Sequence, residues 1–129
     1  MSLKKGNEPD DAKNTVLDFI GDLKDNIFDR EEEKGDLMIV EFFFRRMHPE
    51  RVINHISSLA LPHKRKIKSR DVNFFLDNKE IFSGLPEDRI NYYSEIIATG
   101  TRLSDEDREI IWAYFDTFIA LAESYQKNK

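Results

Sequence analysis

Apolar residues recur along this chain at helical spacing, in separate stretches divided by polar and turn-forming residues. In 14–30, Val16, Ile20, Leu23 and Ile27 fall at i, i+4, i+7 and i+11, the single stripe of an amphipathic helix. In 49–61, Val52, Ile56 and Leu59 form the stripe, with Ile53 and Leu61 beside it. Pro49 suits the first turn and Pro62 ends the element. In 83–100, Ile90, Tyr93 and Ile97 repeat the pattern, flanked by Tyr92 and Ile96. Pro86 stands at its start, Glu87 and Asp88 in the first turn, and Gly100 after its end. The last stretch, 105–126, is the widest. Ser104 is placed to cap it with Asp107 three residues on, and Ile111, Tyr114, Phe115, Phe118, Leu121, Ala122 and Tyr125 share one broad face, with Trp112 and Ile119 at its margins.

The remaining stretch, "LMIVEFFF" at 37–44, carries seven apolar residues in eight and has no clean period. Such a run fits a buried strand or a buried helix. A strand needs a partner, and no second run of this kind exists in the chain. The pattern also continues to Met47. Helix is therefore the expectation, ending near His48–Pro49, because proline restricts the residue before it. The "REEEKGD" that precedes it, 30–36, reads as a break, with Gly35 as a turn and Asp36 as a cap. The expected fold is all-α: a single-domain bundle of about five helices over 13–129. Residues 1–12 are expected to form a flexible N-terminal segment, polar and with nothing to bury. The alternative is α+β, with 37–44 as a strand.

Charge adds what the apolar pattern lacks. Residues 1–44 carry six Lys/Arg and twelve Asp/Glu, residues 45–70 carry eight and one, and residues 71–129 carry six and twelve. A chain of net charge −5 thus has a strongly basic middle, and a partner within a Debye length of about 8 Å senses the patch more than the total. The densest part is "PHKRKIKSR", 62–70, with five positive charges in nine residues. Arg45, Arg46, Arg51, Lys64, Arg65, Lys66, Lys68 and Arg70 are the candidate contacts to a polyanion or a partner. One reading pairs them with the acidic flanks of the same fold or of a neighbouring copy. A second places them on phosphates, and a third gives them no role. In every case Ile67 is expected to turn inward from a short helix, with the Lys and Arg heads in solvent. Phe74 and Phe75 read as core residues and not as a stacking platform, one inward and one nearer the rim.

Several chemistries are disfavoured. The chain has no Cys, so disulfide and thiol chemistry is excluded and a reducing, intracellular compartment is expected. No apolar run approaches the ~20 residues of a membrane span, and no membrane partner is expected. The five glycines form no phosphate-cradling loop. His48, His55 and His63 match no zinc spacing, and Ser57 or Ser58 beside His55 lacks an orienting carboxylate. The row Asp18, Asp22, Asp25 and Asp29 reads as a solvated face, since a straight helical row does not converge on a cation. No catalytic, metal or cofactor residue is assigned, and the chain is read as a non-enzyme. Trp112, Phe115, Phe118 and Ile119 on the widest apolar arc are the candidate core or oligomer face. These features point to a protein-interaction or assembly role, with protein partners or self-association. Nucleic-acid or polyanion binding through 45–70 is the alternative.

The order "LPHKRKIKSRDVNFFLDNKEIF", "NYYSEII" and "LSDEDREIIWAYFDTFIALAESY" resembles small uncharacterised α-helical proteins of large double-stranded DNA viruses of algae and protists. The resemblance runs over roughly 61–125. It is carried by Leu61, Pro62, Arg70, Asp71, Phe74 and Phe75, and by the helix from Ile111 and Trp112 through Phe118, Ile119 and Glu123. It implies a helical fold and a viral origin, with a cytoplasmic or virion-associated location, and transfers no activity.

Overall fold

The computed structural model describes residues 7–128, apart from the side chains at 79 and 80. Its elements are α1 (Glu8–Asp22), α2 (Glu31–Arg45), α3 (Pro49–Ala60), α4 (Lys64–Lys68), α5 (Asn73–Asp77), α6 (Glu87–Thr99) and α7 (Asp105–Lys127). The fold is all-α, and among the described residues there is no strand. Helices α1, α3 and α7 pack on one another, and α2 lies against α1. Their stripes meet in one core that includes Phe19, Ile53, Phe75, Tyr93 and Phe115.

The first helix begins at Glu8, inside the segment expected to be flexible. Pro9 sits in its first turn with Glu8, Asp10 and Asp11, which suits the helix N-terminus, and Ala12 is fully buried. The Glu8 carboxylate accepts hydrogen bonds from Ser124 Oγ at 2.8 Å and Asn128 Nδ2 at 3.1 Å, tying this end to the last turn of α7. Residues 1–6 of that segment lie outside the described residues. The helix ends in a π turn, Leu23–Ile27, in which Phe28 N–H donates to Leu23 O at 2.6 Å. The turn delivers Phe28 into the core, edge-on to Tyr93 at 5.1 Å.

The largest departure from expectation is the start of α2. Residues 31–36 are helical, so Gly35 is no turn and Asp36 no cap. Glu31, Glu32 and Glu33 occupy the first turn, where the helix dipole favours negative charge, and Glu33 Oε1 accepts from Arg30 N–H at 3.3 Å. Glu33, Leu37, Val40 and Phe44 then form one buried stripe at i, i+4, i+7 and i+11.

Between α3 and α6 the chain turns tightly. Arg70 takes a left-handed conformation (φ 58°) after α4. There Asp71 N–H donates to Lys66 O at 2.9 Å and Arg70 N–H to Ile67 O at 3.1 Å, the paired closure of a helix C-terminus that glycine usually makes. This break lets α5 roll both of its rings inward. Phe75 is as buried as Phe74 and stands 4.6 Å from Trp112, whereas one of the two was expected nearer the rim. At the other end of the core, Arg108 on α7 donates to Ile97 O at 2.9 Å and to Gly100 O, satisfying carbonyls left open at the end of α6.

Candidate interaction surface

The basic run forms α4, with Ile67 fully buried and the charged heads at the surface. Four of its five charges meet carboxylates. Lys64 Nζ lies 2.5 Å from Glu123, Lys66 lies 3.4 Å from Asp77, and Lys68 lies 3.4 Å from Asp116. Arg70 grips Asp116 with both Nη atoms at 3.1 and 3.0 Å, reaches Glu109 at 2.8 Å, and lies 5.8 Å from the centre of the Trp112 ring. The hydrogen bonds from Arg70 hold the Asp116 carboxyl below the usual carboxylate range against the opposing effect of burial. Most of this run is therefore an ionic seam between α4 and α7 within one molecule. Arg65 makes no ion pair among the described residues.

Arg45, Arg46 and Arg51 stand apart from that seam, around the end of α2. Arg45 pairs with Glu41 at 3.5 Å, Arg46 lies over the Phe42 ring at 5.4 Å, and Arg51 lines the adjoining groove. The backbone there is held from below: Lys13 Nζ donates to Arg45 O at 2.7 Å and to Met47 O at 2.8 Å.

Trp112, Phe115, Phe118 and Ile119 are all buried inside the molecule. The broad arc of α7 is core, because α1, α3 and α4 together cover it. Apart from Ile110 on α7, the exposed large apolar side chains among the described residues lie elsewhere. Met38 is 57% exposed, Ile39 51%, Phe42 59% and Phe43 39%, all on the outer face of α2. A surface helix normally turns polar residues outward, and a contiguous exposed apolar face marks an interaction site more often than a lone exposed residue does. Two shallow grooves flank it. One of about 400 Å³ is lined by Ile39, Phe42, Phe43, Arg46, Met47, Arg51 and Gly84. The other, of about 540 Å³, includes Gly35, Met38, Phe42 and Arg45. Gly84 has φ +101°, a conformation that suits glycine, and its α-carbon faces the Phe43 ring.

The inward face of α2 is held by a polar network that composition did not signal. Glu33 is 1% exposed, and its carboxylate accepts from Arg102 Nη2 at 2.5 Å and from Tyr92 OH at 2.5 Å, with Arg102 Nη1 closing on the second oxygen. One turn on, Asp36 accepts from Arg89 Nε at 2.9 Å and Tyr93 OH at 2.6 Å. Burial alone would push the Glu33 carboxyl up, but the hydrogen bonds from Arg102, Tyr92 and the Arg30 N–H outweigh it and bring it down to about 2. Burial and the bond to Asp36 push the Tyr93 hydroxyl up. The sequence signal for this network is Glu33 standing in register with Leu37, Val40 and Phe44.

The other residues weighed in the sequence are dispersed. His48 Nδ1 accepts from Glu50 N–H at the start of α3, His55 faces Phe44, and His63 faces Phe74. Ser57 and Ser58 donate to carbonyls of their own helix. Asp22 of the aspartate row accepts from Tyr114 OH, while Asp18, Asp25 and Asp29 are exposed. Among the described residues no helix is long and apolar enough to cross a membrane.

Comparison with known proteins finds no matching family model, no matching curated protein and no matching solved structure.

Proposed function

We propose that this chain is a non-enzymatic protein-interaction or assembly protein whose working surface is the outer face of α2. The observation that carries this reading is the row Met38, Ile39, Phe42 and Phe43, exposed on one helix whose opposite face is fully engaged. Leaving these half-exposed side chains in water forgoes about 1 kcal/mol of burial each, which a partner surface recovers. The arginines at its edge supply polar rim contacts, as interfaces favour. The viral setting rests on the resemblance of residues 61–125 alone.

Site-specific photo-crosslinking tests the reading. A benzophenone amino acid replaces Phe42, or Lys127 as an exposed control, in the cells where the protein acts. The expected result is a covalent protein adduct, with a second copy or another chain, from position 42 and not from 127. Equal labelling at both positions, or none at 42, removes the proposal.

A further inference from the structure

We infer that the partner of this face is a second copy of the chain, with α2 lying antiparallel to its twin about a two-fold axis between Met38 and Ile39; the inference rests on the interaction reading above. The face has opposite charges at its two ends. Glu31 and Glu32 stand in the first turn of α2, and Arg45 and Arg46 at its last. At 100° per residue, Glu31, Gly35, Met38, Phe42 and Arg46 lie within about 40° of one line. Each candidate pair is equidistant from the midpoint of that line. An antiparallel copy therefore sets Glu31 against Arg46, twice over by symmetry, and Gly35 against Phe42. A parallel copy would oppose like charges at both ends.

Gly35 gives a second, independent argument. It sits within α2, where glycine is less favourable than alanine because it surrenders more backbone freedom. A Cβ added there meets nothing within 4 Å, so the single molecule gives no packing reason for its absence. In the antiparallel register Gly35 faces Phe42 of the second copy. The missing side chain is then the space into which the 59% exposed ring fits. The charged groups of this pair are available to a second copy: Glu31 and Arg46 are both exposed and make no ion pair among the described residues.

Sedimentation equilibrium of the full chain over a concentration series tests this, with Glu31→Arg, Arg46→Glu, the double reversal, and Gly35→Arg. The expected result is a reversible dimer. Each single reversal should weaken it about tenfold, because two ion pairs become two repulsions. The double reversal should return it to within about threefold, since it rebuilds both pairs with the signs exchanged. Gly35→Arg should give a folded monomer with an unchanged circular-dichroism spectrum. A wild-type monomer up to ~1 mM overturns the inference, as does a dimer in which the double reversal is no better than the singles. If the chain is monomeric while position 42 still crosslinks to a different protein, self-pairing falls and the interaction reading stands. A monomer with no adduct at position 42 removes both.

Discussion

Arg102 and Glu33 are 69 residues apart in the chain, yet both guanidinium Nη atoms of Arg102 close on the two carboxylate oxygens of Glu33. The carboxylate is almost fully buried, with Tyr92 as its third donor. Glu33→Gln keeps the shape and removes the charge, leaving Arg102 without its main counter-ion. The expected cost is about 3 kcal/mol, read as the shift in urea midpoint at constant slope. A loss below about 0.5 kcal/mol would show that the pair contributes nothing.

The same carboxyl sets an acid limit. Its pKa falls from 4.5 to about 2 on folding, so the unfolded chain takes up the proton first. The stabilisation is complete above about pH 4.5 and is lost as pH falls from there toward 2. Thermal melts across that window should show the wild type falling toward Glu33→Gln. Parallel curves for the two proteins would contradict the linkage.

Arg70 combines a left-handed backbone with the grip on Asp116 and Glu109. Arg70→Ala loses the grip and keeps the strain, whereas Arg70→Gly loses the grip and relieves the strain. Alanine should cost about 1–2 kcal/mol, and glycine about 1 kcal/mol less. Equal losses in calorimetry would mean that the backbone there is unstrained.

Ile67 and the lysines around it separate core from surface within five residues. Changing Lys64, Lys66 and Lys68 together to Gln removes three exposed ion pairs and should cost only about 1 kcal/mol in all. Ile67→Asp places a carboxylate in a fully buried position and should cost at least about 3 kcal/mol. Thermal melting in one buffer compares them, and the reverse order would invert the assignment of inside and outside.

The pairing of that run also bears on polyanion binding. Arg46, Arg51 and Arg65 make no ion pair among the described residues, so few phosphates can be met without breaking the seam to α7. Any binding to duplex DNA should show a log–log salt slope no steeper than about −3. A slope near −5 in a fluorescence titration would mean that the α4 charges leave their carboxylates for phosphate, and would favour the nucleic-acid reading of 45–70.

The helical stretches of this protein follow from spacing alone. Val16, Ile20, Leu23 and Ile27 repeat at the pitch of a helix, and all are buried. Ser104 and Asp107 cap α7 reciprocally at 3.0 and 3.3 Å, as local residue chemistry dictates. The inward turn of Ile67 was equally legible, because it is the one apolar side chain among charges that cannot be buried unpaired. The same reasoning misplaced Gly35 and Asp36, since a glycine beside a charge run has the local chemistry of a turn. It also left the arc of α7 open between core and oligomer contact, because coverage depends on where α1, α3 and α4 pack. In 37–44 both faces of the helix are apolar, so periodicity could not say which one enters the core. Residues far along the chain decided it. Arg102 and Tyr92 meet Glu33, Arg89 and Tyr93 meet Asp36, and these contacts fix the rotation of α2 about its axis. Leu37, Val40 and Phe44 go in, and Met38, Ile39, Phe42 and Phe43 stay out. Helix formation is local, so the sequence determined it by itself. Which face of α2 stays exposed is a balance of distant charges and packed surfaces, and that exists only once the chain has folded.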